Sequence, residues 1–232
     1  CTSIGSCAFA KCDSLPSIII PDNVTTINSD AFASCPKLSF IKFSAYLTSI
    51  GSRAFDNCKS LSSIEIPDSV TNINSNAFSN CSNLKTVKLS KSLTDLSFMA
   101  FYNCDSITEI EIPKSLTNAG YDYDNSEKGA FNNCSNLKTV TFEEGCTEIP
   151  NYLFANCDGI ENIIIPDTVT TIEEWAFYNA VNLKNVVFSS PRFACPGVIS
   201  RQPTDNLKSL YSSGVIRSEY VIFFIIFLFL FS

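Results

Sequence analysis

The side chains that could carry chemistry in this sequence are its eleven cysteines and its acids, because histidine is absent from all 232 positions. Without histidine there is no Ser-His-Asp or Cys-His catalytic site and no imidazole metal ligand. Glycine never occurs as Gly-x-Gly, which argues against a dinucleotide or phosphate loop. The adjacent acid pairs Glu143-Glu144 and Glu173-Glu174 are expected in solvated turns, whereas glycosidases need two carboxylates that face each other across a substrate. We therefore predict no enzymatic activity, no catalytic residue, no cofactor and no metal site.

The spacing of the cysteines predicts core packing rather than reactivity. Cys1 and Cys146 stand at a repeat position that Val or Leu occupies elsewhere, and Cys7 and Cys195 fall outside the pattern. Identical side chains in register project in parallel, which is the wrong arrangement for a disulfide. No Cys-x-x-Cys occurs, so structural zinc is not expected. We predict buried free thiols at Cys1, at Cys146 and at seven further cysteines, each of which stands three residues after a phenylalanine that recurs once per repeat. These seven are Cys12, Cys35, Cys58, Cys81, Cys104, Cys134 and Cys157.

The charge balance argues against nucleic acid as a partner. The chain has sixteen basic and twenty-three acidic residues, a net charge of −7. Residues 191–232 hold four of the basic and two of the acidic residues, which leaves twelve basic and twenty-one acidic before them. A body of this sign repels a phosphate backbone.

A fixed period predicts a solenoid. Successive Ala-Phe pairs, with Leu153-Phe154 in one place, are separated by 23 residues at every step but one, which is 30. In the third unit, Ile64 and Ile66 alternate as in a strand, Pro67 ends that strand, and Val70 to Ile73 suits a second short strand. The fold class predicted is a repeat solenoid of 23 residues per coil, with a parallel β-sheet on one face and a short strand and a helical turn on the other walls.

The consensus L-x-x-I-x-I-P-x-x-V-T-x-I-x-x-x-A-F-x-x-C resembles the BspA-like class of leucine-rich repeat over about residues 1–189. That class is known from surface antigens of bacteria and mucosal protozoa. The resemblance implies a surface-displayed adhesion or ligand-binding protein, often tethered to the membrane. No catalytic residue comes with it.

The residue after each main strand alternates, so the true repeat is 46 residues. It reads Pro21, Ser44, Pro67, Ser90, Pro113, Glu143, Pro166 and Ser189. The preceding residue is Ile in the proline units and Phe or Leu in the others. We expect two coil shapes in strict succession.

Residues that alternate with the buried ones define the outward face of the sheet. Its central column reads Ile19, Lys42, Glu65, Lys88, Glu111, Thr141, Ile164 and Val187. The four charges alternate in sign, either to keep the strands in register and soluble or to form a polar recognition strip. The apolar end of this column, Ile164 and Val187, is either a contact patch for a ligand or the edge of the C-terminal cap of the solenoid. The candidate ligand-facing residues on this face are Phe40, Lys42, Glu65, Lys88, Glu109, Glu111, Ile164 and Val187, flanked by Asn162 and Asn185.

The 30-residue step contains an insertion at 120–128 that must bulge from the wall. Tyr121 and Tyr123 are good interface residues, so the loop is either a second contact site or a tolerated insertion. Asp122, Asp124 and Ser126 could touch calcium, but the following glycine and distal glutamate of a calcium loop are missing. Elsewhere, Asn23-Val24-Thr25, Asn80-Cys81-Ser82 and Asn133-Cys134-Ser135 match the N-glycosylation sequon, which weakly supports secretion.

The C-terminal tail predicts membrane attachment. Residues 190–220 have the composition of a cap remnant and stalk, and 221–231 is an unbroken apolar run. Eleven helical residues reach about 16 Å, roughly half of the hydrocarbon layer, so the run is either a truncated transmembrane segment or a lipid-anchor signal. At the other end, Cys1 falls inside a repeat, so we expect residues 1–189 to be an N-terminally incomplete solenoid of about eight coils.

Two functions follow from these features. The first is a cell-surface, membrane-anchored protein that binds host or matrix proteins, or other cells, through the sheet face and the loop at 121–127. The second is a non-adhesive, possibly intracellular scaffold whose repeats only space other parts.

Overall fold

The structure, a computed structural model, describes residues 1–120 and 128–188. Each coil has three walls, two of strands and one of turns. The second wall holds the shorter strands Ser3–Ile4 (β1), Thr26–Ile27 (β3), Ser49–Ile50 (β5), Asn72–Ile73 (β7), Asp95–Leu96 (β9), Glu148–Ile149 (β12) and Thr171–Ile172 (β14). The sheet wall holds Ser17–Ile19 (β2), Phe40–Lys42 (β4), Ser63–Glu65 (β6), Thr86–Lys88 (β8), Glu109–Ile112 (β10), Thr139–Phe142 (β11), Asn162–Ile165 (β13) and Asn185–Phe188 (β15). All pairings are parallel, which confirms a parallel solenoid with about eight turns of 23 residues.

The second wall is nearly continuous. Its strands pair in the order β1-β3-β5-β7-β9, and β12 pairs with β14. Each strand contributes an inward Ile or Leu, such as Ile27 and Ile50, which face each other in register and are fully buried. A single bridge from Asp95 to Asn118 carries the wall toward the coil that contains the insertion.

A single file of phenylalanines runs through the interior. Phe9, Phe32, Phe55, Phe78, Phe101, Phe131, Phe154 and Phe177 stack with ring centroids 5.2–5.6 Å apart and interplanar angles of 3–17°. The six from Phe32 to Phe154 are fully buried. Near-parallel rings at this distance form offset stacks, so one residue type per coil builds a continuous core.

The helical turn expected around each Ala-Phe pair is wrong. In the second coil, Asp30 and Ser34 have positive φ angles of 57° and 58°, which a right-handed helix cannot contain. The amides of Asp30, Phe32 and Ser34 donate to carbonyls of the following coil at 2.7–2.9 Å, while Ala31 and Ala33 close tight turns within their own coil. Every second N–H therefore bonds between coils instead of along a helix. We call this third surface the turn wall.

The sheet wall pairs its strands according to the 46-residue alternation. Ladders join β2 to β4 and β6 to β8, and β10 pairs with β11. No ladder joins β4 to β6 or β8 to β10, although all four strands lie within the described residues. A continuous parallel ladder would require residue 67 to donate its backbone N–H to the carbonyl of Phe43. Residue 67 is proline, which has no backbone N–H, so this bond cannot form. Pro67 thus accounts for the missing ladder with the preceding coil and leaves the ladder with the next one intact. At Pro166 the ladder is shortened rather than lost, so β10, β11, β13 and β15 form one four-stranded sheet.

The remaining sequence predictions lie outside the described residues. These are Tyr121, Tyr123 and the calcium-ligand candidates Asp122, Asp124 and Ser126, as well as Cys195, the stalk at 190–220 and the apolar run at 221–231. Among the residues described, no helix has the length and hydrophobicity required to cross a membrane.

Candidate binding surface

The outward face of the sheet wall carries all of the candidate ligand-facing residues that the structure describes. The side chains of Phe40 and Lys42 project outward from β4, and Ile41 between them is buried. The same alternation places Glu65 on β6, Lys88 on β8, and Glu109 and Glu111 on β10 in exposed positions. Ile164 on β13 and Val187 on β15 complete the row, 58% and 52% exposed. The face is therefore one surface that crosses every coil.

Among the four charges of the central column, Lys42, Glu65, Lys88 and Glu111, one ion pair forms. Lys88 Nζ lies 2.5 Å from Glu65 Oε1, and this hydrogen bond raises the pKa of Lys88 above its ordinary value. Within residues 1–120 and 128–188, Lys42, Glu109 and Glu111 form no ion pair. The paired residues lie on β6 and β8, which share a ladder, whereas Lys42 and Glu65 lie on β4 and β6, which do not. Alternating sign along the sequence therefore produces one neutralised pair flanked by charges available to a ligand.

The C-terminal end of the face is apolar with polar margins. Ile164 and Val187 lie opposite each other on neighbouring strands. On one side, Asn185 Nδ2 donates to Asn162 Oδ1 at 2.6 Å, and next to that pair Lys184 bonds Glu161 at 2.9 Å. This hydrogen bond with Lys184 lowers the pKa of Glu161. Two apolar side chains beside an ordered polar margin form a small surface suited to contact with a protein.

A shallow cleft of about 290 Å³ adjoins this apolar end between β11 and β13. It is lined by Lys138, Thr139, Val140, Thr141, Glu161, Asn162 and Ile164. The two strands pair only through Thr139–Asn162 and Val140–Ile163, and the ladder stops before Pro166. The missing N–H of Pro166 explains this loss, as at the other proline junctions.

Sequence reasoning missed parts of this surface. Ile19, 65% exposed on β2, shares the column of Ile164 but was not proposed as a ligand-facing residue, although the same alternation identifies it. Tyr46, also 65% exposed, lies at the corner after the sheet wall and carries no periodic signal. Phe188 was expected in the core alternation but is 41% exposed on the last described strand. To predict the cleft from the sequence, one would have to know that Pro166 faces β11, where its missing N–H shortens the ladder between β11 and β13.

The repeated cysteines lie away from this face and are free thiols. Cys146 and all the repeat-position cysteines from Cys35 onward are buried, as predicted. Cys1 is exposed and Cys12 only half-buried, contrary to expectation, because both lie in the first coil, where no described coil covers them. From Cys35 to Cys157, each Sγ of the file donates to a Phe carbonyl of the preceding coil at 3.0–3.3 Å. The thiols thus act as weak bonds between coils.

Burial also suppresses ionisation of these thiols. It raises the pKa of Cys58 and of Cys134 to about 12, and the pKa values of Cys81, Cys104 and Cys157 lie well above the ordinary thiol value. A thiol that keeps its proton is a poor nucleophile. In the described part of the chain, no three His, Cys, Asp or Glu side chains are grouped closely enough to hold a metal ion.

Comparison with known proteins agrees with this geometry. The model of the BspA-type leucine-rich repeat region, in six copies, matches residues 2–126 and 122–194. Repeats of this type form solenoids that are typically non-enzymatic scaffolds for protein–protein interaction. No curated protein matches the sequence significantly.

Solved structures share the fold. A leucine-rich repeat protein from Bacteroides ovatus is 26% identical with a TM-score of 0.52, over 81% of this chain and 59% of that one. A leucine-rich repeat protein from T. pallidum is 26% identical with a TM-score of 0.57, over 68% and 71%. The pneumococcal vaccine antigen PcpA is 23% identical with a TM-score of 0.56, over 80% and 56%. The chain thus spans less than two thirds of the Bacteroides ovatus protein and of PcpA. With its repeat unit, its coil geometry and the family model in agreement, this chain belongs to the BspA-type leucine-rich repeat family.

Proposed function

We propose that this chain is a cell-surface adhesion protein that binds protein ligands on host, matrix or other cells through the outward face of the sheet wall. The observation that carries the proposal is the row of exposed side chains from Phe40 to Val187, which crosses every coil from β4 to β15 on one rigid support. Family resemblance supports adhesion, because BspA-like repeats are known from surface antigens.

The composition of the face suits contact with a protein. Ile164 and Val187 supply an apolar centre, and Asn162 and Asn185 supply hydrogen-bonding groups beside it. Charged groups at Lys42, Glu109 and Glu111 can steer a partner of complementary charge. A rigid surface binds without ordering costs in the scaffold itself, so several modest contacts along the row can add up to useful affinity.

Binding of the full chain to matrix proteins and to cells tests this proposal. The variant combines Lys42→Glu, Glu65→Lys, Lys88→Glu and Glu111→Lys, which reverses every charge of the column but keeps the 65–88 ion pair possible. The matched control, Lys91→Glu with Glu144→Lys, changes exposed charges at the coil corners. We expect the column variant to bind at least about tenfold more weakly, which corresponds to about 1.4 kcal/mol, and the control to bind normally. Unchanged binding by the column variant would exclude the charged half of the face.

A second measurement addresses the apolar half. Ile164→Ser with Val187→Ser removes its exposed apolar side chains without touching the core, and Val181→Ser, at another exposed site 59% accessible, is the control. Loss of binding in the double variant alone would locate the main contact at the C-terminal end. Normal binding by both this variant and the charge variant would disprove the sheet-wall proposal.

Membrane attachment through residues 221–231 is part of the same proposal. Its support is the uninterrupted apolar run after a basic, proline-containing stalk sequence. Tagged full-length chains should be accessible to protease at the surface of intact cells, and deletion of 221–231 should release them into the medium. A cytosolic location of the full chain would favour the intracellular scaffold instead.

A further inference from the structure

The three N-glycosylation sequons occupy two different environments. Asn80 and Asn133 hold the same repeat position on the turn wall, where both have positive φ angles, 59° and 62°. Asn23 lies at the corner between the sheet wall and the second wall, between β2 and β3. The three sites therefore differ in what a glycan would disturb.

The amides of Asn80 and Asn133 are already engaged between coils. Asn80 Nδ2 donates to Asp56 Oδ1 and to Ser79 Oγ, each at 3.0 Å, which uses both of its hydrogens. Asn133 Nδ2 donates to Asn103 Oδ1, and Asn103 Nδ2 donates to Asn80 Oδ1 at 2.9 Å. Linking a sugar to either nitrogen removes a hydrogen and places the sugar against the adjacent coil. At Asn80 a modified chain loses one of its two side-chain hydrogen bonds. At Asn133, which is exposed, the sugar crowds the single bond to Asn103.

Asn23 has none of these constraints. It is exposed, and within the described residues its side chain makes no hydrogen bond. Thr25, the hydroxyl residue of the sequon, is also exposed, and Val24 between them anchors the corner in the core. The acceptor nitrogen can therefore be substituted without loss of any contact in the fold.

Tyr46 gives an independent reason to expect a sugar at this corner. It stands at the equivalent position of the next coil, 23 residues after Asn23, and coils in register lie about 4.8 Å apart. The two corners are tied together because Ser44 Oγ donates to Asp22 O and accepts from Tyr46 N, both at 3.1 Å. A tyrosine 65% exposed beside the acceptor offers an apolar ring face to the first sugar.

We propose that Asn23 carries an N-linked glycan whose first sugar packs on Tyr46, and that Asn80 and Asn133 are unmodified in the folded protein. This inference rests on the proposed export of the chain. In the reaction, Asn23 Nδ2 forms a bond to C1 of a lipid-linked oligosaccharide. The bond from C1 to the lipid pyrophosphate breaks, the pyrophosphate leaves with the electron pair, and the amide loses one proton.

The site has a consequence for binding. Asn23 follows the C-terminal end of β2, where Ile19 pairs with Lys42, so a glycan there adjoins these two residues at the N-terminal end of the sheet wall. It leaves Ile164, Val187 and the cleft uncovered at the other end. The glycan would thus direct ligands toward the C-terminal half of the face.

Expression of the full chain behind a secretory signal in insect cells tests the proposal. Peptide mapping after enzymatic glycan release in heavy-oxygen water marks each occupied asparagine. We expect the label at Asn23 alone, its loss in Asn23→Gln and Thr25→Ala, and its retention in Thr25→Ser. Ser82→Ala and Ser135→Ala destroy the other two sequons without changing the asparagine ladder, and we expect neither to alter the glycan mass. Oxidative footprinting should modify Tyr46 more slowly in the glycosylated protein than after glycan release.

An unoccupied Asn23, or folded secreted protein with a glycan at Asn80 or Asn133, would overturn the proposal. Equal footprinting of Tyr46 with and without the glycan would overturn its packing role. Because the signal is supplied by the expression vector, these failures are independent of the native export tested above by localisation.

Discussion

At the residue scale, side chains at fixed repeat positions link each coil of this solenoid to its neighbours. The thiols of the cysteine file donate to phenylalanine carbonyls, and the asparagines of the turn wall bond each other from coil to coil. Asparagine also tolerates the left-handed backbone that this position requires, better than other non-glycine residues. The recurrence of Cys and Asn at fixed positions is thus explained by contacts between coils without any catalytic role.

Substitutions of Asn80 can separate the contribution of its side-chain hydrogen bonds from that of its left-handed backbone angle. Asn80→Ala removes the hydrogen bonds to Asp56 and Asn103 but keeps a β-carbon at φ 59°, whereas Asn80→Gly removes both the bonds and the β-carbon, and glycine adopts this backbone angle without strain. We expect both variants to be destabilised, and the alanine variant by about 1 kcal/mol more than the glycine variant. Chemical denaturation of the two variants measures the difference. A glycine variant that is less stable than the alanine variant would contradict the role assigned to the backbone angle.

The buried thiols predict a stability that falls at high pH. Burial holds the pKa of Cys134 at about 12, whereas in the unfolded chain the thiol ionises near 9.0. Below pH 9 both states are protonated and stability is complete; between 9 and about 12 only the unfolded state releases a proton, so the free energy of unfolding decreases. We expect wild type to lose about 1.4 kcal/mol per pH unit more than Cys134→Ala above pH 9, measured by denaturant unfolding with a reductant.

The control for this measurement is Cys7→Ser, since Cys7 is exposed in the folded protein. Its unfolding free energy should follow the wild-type pH dependence. Parallel pH curves for wild type and Cys134→Ala would show that the thiol does not stay protonated in the folded state.

At the element scale, the missing N–H of proline divides the sheet wall from β2 to β8 into two pairs of strands and shortens the ladder between β11 and β13. Pro67 cannot donate to Phe43, so β4 and β6 share no ladder, while Ile66 donates to Lys88 O at 2.9 Å in the other direction. In the intervening coils a buried serine completes the corner. Ser90 Oγ donates to Val70 O at 2.6 Å and accepts from Ser92 N at 3.1 Å. From β2 to β8 the strand pairs follow the alternation of Pro and Ser, whereas β11 and β13 keep two residue pairs beside Pro166.

Amide exchange measures this asymmetry directly. Phe43 and Leu89 occupy the position equivalent to Ile66 in the other coil type, and their amides make no hydrogen bond in the described structure although both residues are buried. We expect the Phe43 and Leu89 amides to exchange at least about tenfold faster than that of Ile66, as detected by NMR. Equal protection at the three positions would mean that the ladder is continuous across the proline junctions.

These elements show what the sequence could predict and why. The two-residue alternation around Ile64 and the 23-residue period were enough to place the strands and their inward residues, because both depend on local geometry. The prediction of a helical turn was wrong because Asp30 and Ser34 adopt left-handed φ angles, and in this conformation their amides bond to the next coil. Local helix propensity does not include such bonds between coils. The pairing of Glu65 with Lys88 alone, and the cleft beside Ile164, likewise depend on which neighbouring strands share a ladder.

At the scale of the whole molecule, the fold is quasi-one-dimensional. Each coil contacts its neighbours, and the second wall and the turn wall repeat the same types of bond from coil to coil. In such a protein the stability is approximately a sum of coil and interface contributions. Whether a deletion variant folds should therefore depend more on whether the deletion is a multiple of the repeat than on how many residues it removes. A deletion that keeps the repeat in register preserves every type of contact between coils.

Deletion of residues 55–100, twice the 23-residue period, joins Ala54 to Phe101 and so restores the Ala-Phe pair, the phenylalanine file and the Pro–Ser alternation. We expect this variant to keep a β-rich circular dichroism spectrum and cooperative unfolding, with a lower free energy of unfolding than the full chain because two coils and their interfaces are lost. Deletion of residues 61–100 removes fewer residues but joins Ser60 to Phe101 out of phase, and we expect it to lose cooperative unfolding. If the shorter, out-of-phase deletion were the more stable of the two, stacking in register would not be what holds the molecule together.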